Sequence, residues 1–210
     1  MKTILAYDTE TSGLTLFSQP STHQDQPRIT QLAAKLIVEE TREVLGSMNC
    51  IIKPDGWTIP EDLQKLTGIT MERAHQFGVP IARALHLFID LWSGADERVA
   101  HNEGFDMRMM RIELVRHPHF STEAVGDTPF ADFWKAAPSY CTAANSTSIL
   151  NLPPTPKMIA ARRNHPKTPN LGEAYEFFTG RKLEGAHNAM IDVDACIEVY
   201  YGIKDYATKQ

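Results

Sequence analysis

Apolar positions in this chain fall into short runs and stripes, and their spacing predicts most of its elements. Ile4 to Tyr7 form the continuous apolar run of a fully buried strand, and Gly13 supplies the turn beyond it. Arg28 to Val38 alternates in part, and Val44 to Lys53 follows the polar turn at Glu40 to Arg42, so three consecutive strands predict an antiparallel meander. The polar stretch from Ser18 to Pro27 reads as a surface loop between the first two strands. Farther on the period becomes helical. IPEDLQKLTGIT places Leu63 and Leu66 on one face of a short helix that Gly68 ends. Ile81, Leu85, Phe88 and Trp92 form the stripe of an amphipathic helix ended by Gly94, a core-packing element. Arg98 to Ala100 is a brief strand leading to a helix whose buried face carries Phe105, Met109 and Ile112. Asn170 and Glu173 make a capping box for a helix that stops near Gly180. A last helix starts near Asn188, with Ala189, Asp192, Cys196 and Val199 on its buried stripe.

Length and charge then narrow the picture. At 210 residues the chain has the size of one medium domain, taken as 1–210, and it shows no repeat or linker tract. The 26 acidic residues outnumber the 21 basic ones, giving a net charge of -5. That balance argues against coating nucleic acid by charge alone, while a site that meets phosphate through metal ions needs several carboxylates. Cys50, Cys141 and Cys196 are odd in number and scattered, suggesting neither disulfides nor zinc. Tyr7 and Asp8 interrupt the first apolar run too early for a signal peptide or a membrane span, so a soluble cytoplasmic protein is expected.

Candidate chemistry sits at the ends of these elements. Side chains two apart on a strand share a face, so Asp8 and Glu10 project together while Thr9 faces away. Two anions about 4 Å apart repel by roughly 4 kcal/mol at an effective dielectric near 20, which makes the pair a divalent-metal half-site. Asp106 falls in the first turn of its helix, where the helix dipole favours a carboxylate, so a structural acid and a ligand both fit there. Asp192 lies on a buried face and must meet a cation, a basic side chain or a proton. Asp194 turns away with Glu198. His187 precedes the last helix, free of its periodicity and able to lean over the same site. Between Pro153 and Pro169, Lys157, Arg162, Arg163, His165 and Lys167 form a basic, proline-rich loop that reads either as a solvated charge run or as a phosphate contact.

In combination these motifs resemble the DEDDh exonucleases, a branch of the RNase H-like superfamily that includes bacterial proofreading and phage exonucleases. DTETSGL at 8–14 is similar to the first motif, RITQLAA at 28–34 to the second strand and IPEDLQKLTGIT at 59–70 to the substrate-side helix. AHNEGFDMRMM at 100–110 resembles the second motif and GAHNAMIDVDA at 185–195 the third. The resemblance implies an α/β RNase H-like fold with a central mixed five-stranded sheet flanked by helices. It implies that Asp8, Glu10, Asp106 and Asp192 hold two Mg2+ or Mn2+ ions, with His187 as general base, and that nucleoside 5'-monophosphates leave stepwise from DNA 3' ends. By the same analogy Thr11, Leu14, Thr67 and Asn102 contact the substrate, Leu14 as an apolar wedge. The chain departs from many relatives in carrying Thr67 where they have histidine, and in the length of its basic segment, read as a strand-guiding loop. Single-stranded DNA or a DNA 3' end is the expected partner. A short tail after the last helix favours a stand-alone enzyme.

Three alternatives stand beside this reading. An exoribonuclease of the same fold differs only in reading the 2' hydroxyl, for which the sequence shows no reader. A haloacid-dehalogenase-type phosphatase would use DTETS as nucleophile motif and GDTPFAD at 126–132 as acidic loop, but it wants Asp where Glu10 stands and leaves His187 and Asp192 without a role. A catalytically silent nucleic-acid-binding module would not need the full carboxylate set.

Overall fold

The computed structural model describes residues 1–208. The predicted meander forms as β1 (Thr3–Thr11), β2 (Ile29–Val38) and β3 (Val44–Ile51), antiparallel throughout. Three helices follow: α1 (Glu61–Thr67), α2 (Met71–Phe77) and α3 (Ile81–Ser93). They return the chain to β4 (Glu97–Ala100), which runs parallel to β1. Next come α4 (Glu103–Arg116), α5 (Pro118–Thr122), a two-stranded ribbon of β5 (Ala124–Val125) and β6 (Thr128–Pro129), and α6 (Phe130–Ala136). β7 (Ser139–Cys141) then adds in parallel to β4, giving a mixed five-stranded sheet of order β3-β2-β1-β4-β7. The remaining elements are α7 (Thr142–Leu150), α8 (Pro156–Ala160), α9 (Leu171–Thr179) and α10 (Ala189–Ala207).

Strand alternation divides β1 between two helical layers. Leu5 and Tyr7 face the core built by Leu85 and Phe88 of α3, Met109 of α4 and Trp134 of α6. Tyr7, Phe88 and Trp134 meet edge to face at centroid separations of 5.5 to 5.7 Å, a geometry worth about 0.5–1.5 kcal/mol per pair beyond area burial. Ile4 and Ala6 point the other way, onto Ala189, Val193, Cys196 and Tyr200 of α10. The first strand and the last helix are therefore in direct contact, and functional groups carried by them meet at the C-terminal end of β1.

Two local expectations need correction. The segment from Pro153 to Pro169 is not loop throughout, because Pro156 to Ala160 form α8. Thr155 caps that helix by accepting from the Met158 amide, and Pro156 occupies the first turn, where its missing N–H costs nothing. In α1, Leu63 turns inward beside Ile59, Ile69 and Ala74, but Leu66 is half exposed and the helix has no fully buried residue. The capping box at Asn170 and Glu173 and the left-handed stops at Gly68 and Gly180 form as expected.

Candidate active site

β1 delivers Asp8 and Glu10 to the α10 side of the sheet, level with Ala33 and Gln31 of β2. Gln31 fixes the approach of α10. Its side-chain carbonyl accepts from the Ala189 amide at 3.2 Å, while its amide nitrogen donates to Asn49 of β3 at 2.7 Å. The first turn of α10 is set further by Asn188, whose side chain accepts from Met190 N and whose carbonyl accepts from Asp192 N. Asp192 is thereby held over the strand end. One carboxylate oxygen from each of Asp8, Glu10 and Asp192 lies within 4.8 Å of the other two. Asp192 Oδ2 accepts from the His187 amide at 3.0 Å, whereas its Oδ1 is buried without a hydrogen-bond partner.

Asp106 arrives from the opposite layer. It sits in the first turn of α4, 3% exposed, and its Oδ1 accepts from both the backbone N–H and the hydroxyl of Thr9, at 3.0 and 2.7 Å. Thr9 does face away from Asp8, as alternation requires, and that orientation is what lets it receive Asp106. Asp106 is thus outside the three-oxygen set but beside it, since its charge is the largest of those that raise the Asp8 pKa.

Electrostatics reflect how crowded the acids are. Burial, then the charges of Asp106, Asp192 and Glu10, hold the Asp8 carboxyl well above the usual range. Burial and the neighbouring Asp192 push Glu10 up to about 7. Asp106 is also pushed up to about 7, chiefly by burial, with the two Thr9 hydrogen bonds pulling against it. Asp192 is raised by burial and pulled back by the His187 amide and ring. Four acids that resist ionising together, all offering oxygen, and one buried oxygen without a partner, fit a hard divalent cation.

A family model describing the RNase_T exonucleases matches residues 5–200. The chain belongs to this exonuclease family. Its structure also resembles solved exonuclease I structures: the E. coli enzyme in complex with a dT13 oligonucleotide, at 21% identity and a TM-score of 0.67 over 97% of this chain and 41% of that one, and the zinc-bound E. coli enzyme with single-stranded DNA, at 20% identity and 0.67 over 98% and 41%. A product-bound exonuclease I aligns at 22% identity and 0.67, over 97% and 43%. Identities this low show a shared fold, the RNase H-like DEDDh architecture that the motifs resemble. The chain spans about two fifths of the length of those exonuclease I chains. A search of curated sequences gave no match.

Around the carboxylates of this exonuclease domain, the other expected residues take distinct places. His187 has a φ of +67°, a left-handed backbone uncommon outside glycine though better tolerated by histidine than by most residues, and its side chain is exposed. Its amide is bound to Asp192 while its ring makes no hydrogen bond among the described residues. Thr11 follows a register shift in β1 and donates its hydroxyl to the Gly13 carbonyl at 2.8 Å, folding the turn that leaves Leu14 82% exposed. Asn102 caps α4 in the left-handed conformation with an exposed side chain. Thr67 is committed to its own helix, donating to Leu63 O at 2.9 Å and accepting from Ile69 N. Asp127, central to the phosphatase alternative, lies exposed between β5 and β6, and family membership overturns that alternative.

Several supporting residues escaped the sequence reading. Arg98, 1% exposed, donates from Nε to Glu103 at 2.6 Å, and Glu103 also accepts from the Tyr7 hydroxyl at 3.1 Å, so the start of α4 is braced from below. His101 bonds Thr142 at 2.9 Å and the Pro169 carbonyl at 3.1 Å, tying the end of the basic segment to the threshold of α4. Gln31 and Arg98 were visible as polar interruptions of apolar strands. Thr9 carried no such signal.

Proposed function

We propose that this chain is a divalent-metal-dependent 3'-5' exonuclease that releases nucleoside 5'-monophosphates from DNA 3' ends. The observation that carries the reading is the convergence of Asp8, Glu10 and Asp192, with Asp106 behind them, in a domain of the exonuclease family. Asp8, Glu10, Asp106 and Asp192 would hold two Mg2+ or Mn2+ ions. When bound, such ions neutralise the crowded acids, activate water for attack on phosphorus and stabilise the departing 3' oxygen.

The protein's own groups supply the rest. Thr9 and the start of α4 keep Asp106 oriented, and the Gln31 bond to Ala189 keeps α10 and Asp192 in place, so the hydrogen bonds of the fold hold these acids before any ion loads. His187, anchored by its backbone and free at its ring, takes the proton of the attacking water on an unprotonated imidazole nitrogen and passes it to solvent. Leu14 wedges against the terminal base, and Thr11, Asn102 and Thr67 line the approach of the strand. The exposed cations Lys157, Arg162 and Arg163 guide the strand outside the site. DNA is favoured because the exonuclease I structures of the same fold hold DNA oligonucleotides.

The described chain is read as one exonuclease domain, supported by the packing of α10 on β1. Its three cysteines are free, which suits a reducing cytoplasm, and no helix among the described residues is long and apolar enough to cross a membrane. The deciding experiment incubates the protein with 5'-labelled single-stranded DNA, duplex DNA and RNA in Mg2+, with EDTA controls. A ladder shortening from the 3' end of DNA, absent in EDTA, is expected. Cleavage in EDTA, or a ladder from RNA alone, would overturn the metal or the sugar assignment respectively.

A further inference from the structure

Beside the first turn of α4 lies a cavity of about 130 Å3 whose walls include Phe17, Gly104, Arg108, Arg111 and Lys135. It is small and cationic in a chain of net charge -5. Arg111 is paired with Asp132 at 2.6 Å, but Arg108 and Lys135 pair with no carboxylate among the described residues, leaving two uncompensated positive charges. Arg108 spends its Nη2 on the carbonyls of Leu16 and Gln19, at 2.9 and 2.5 Å, and its Nε is buried without a partner. Gly104 adds no side chain, and a Cβ there would meet open space. A water molecule takes up about 30 Å3 in the liquid, so the cavity has room for a phosphate group.

The Phe17 wall is a prepared surface. The Arg108 guanidinium sits 5.1 Å from the ring centroid on one side, and the ring is nevertheless 65% exposed, so its other face is open. The loop that carries it is held firmly. The Gln26 side chain bonds Leu16 in both directions and donates to Pro20 O, Arg111 reaches Ser21, and Arg116 binds the carbonyls of Gln26 and Pro27. The cavity also adjoins the carboxylates along the chain, with Gly104 two residues from Asp106 and Phe17 three from Leu14.

Resting on the exonuclease reading, we infer that this cavity is a second strand-binding subsite, away from the scissile bond, in which Arg108 and Lys135 take a phosphodiester while a base stacks on the open face of Phe17. An aromatic platform beside a cationic recess is how single strands are held without sequence preference.

The test measures KM and kcat on a long single strand and on a dinucleotide for the wild type, Phe17→Ala, Phe17→Trp and Lys135→Gln. Both residues are exposed, so their replacement leaves the core untouched. On the long strand, Phe17→Ala raises KM by about 5- to 150-fold with kcat within twofold, the range of one lost stacking contact, and Phe17→Trp restores it. Lys135→Gln lowers the slope of log KM against log salt by about 0.7, one phosphate contact on a single strand. On the dinucleotide, whose single phosphodiester is the scissile one, neither change matters. A long-strand KM within twofold of wild type in Phe17→Ala, or an equal penalty on the dinucleotide, overturns the subsite. If the wild type cleaves no strand, the exonuclease reading has failed instead. Fluorescence anisotropy of a labelled strand then judges the cavity alone, and equal affinity of wild type and Lys135→Gln, or no binding, overturns it.

Discussion

Replacing Glu10 by glutamine isolates the electrostatic cost of assembling the site. In the folded, metal-free protein, burial and Asp192 push Glu10 from an ordinary 4.5 up to about 7. Between those values the folded state holds a proton that the unfolded state has released. Stability is therefore fully present below pH 4.5, falls as pH rises toward 7, and levels off above it. Each unit is worth 1.36 kcal/mol, so the full loss is about 3 kcal/mol, and about 2 kcal/mol after discounting for the partly solvated strand end. Glu10→Gln keeps the shape and removes the titration. At pH 5 variant and wild type should melt together in EDTA. At pH 8 the variant should melt about 4–8 °C higher, taking about 2–4 °C per kcal/mol for a domain of this size. Adding Mg2+ at pH 8 should then raise the wild type more than the variant, because binding to the folded state alone stabilises it. Thermal melts across pH 5–9, with and without EDTA, measure all of this. A gap that does not change with pH, or a variant less stable than wild type at pH 8, refutes the idea that repulsion at Glu10 opposes folding.

Asp8→Ala and Asp192→Ala should each abolish cleavage while leaving the EDTA melting temperature unchanged or higher, and a sharp drop in either would show that the acid supports the fold. His187→Ala should slow cleavage by about 10²- to 10⁴-fold with little loss of strand affinity, and a rate within threefold of wild type removes it from the reaction. Arg98→Met leaves Glu103 buried with only the Tyr7 hydroxyl, and should cost about 3–5 kcal/mol in urea unfolding; a cost under about 1 kcal/mol would mean that solvent reaches Glu103.

Periodicity made three of the four acids legible, and it explains why the fourth was harder to place. A period of two put Asp8 and Glu10 on one face of β1, and a period near 3.6 put Asp192 on the inward stripe of α10, so spacing alone gave each of them a direction. Asp106 had only a position. The site straddles the sheet: Asp192 descends from the layer that covers Ala6, Asp106 rises from the layer that covers Tyr7, and they approach only because β1 ends between them. No local pattern encodes that meeting, since it depends on where two layers overhang one strand. The same limit hid the brief elements between α4 and α7, none longer than seven residues, and α8, where a proline at a helix start looked like a proline in a loop. The turning of Thr9 away from Asp8 carries the sharper lesson. Alternation gave its direction correctly, yet facing away from the acids meant facing the helix that brings the fourth, and that hydroxyl helps hold Asp106 beside the strand end.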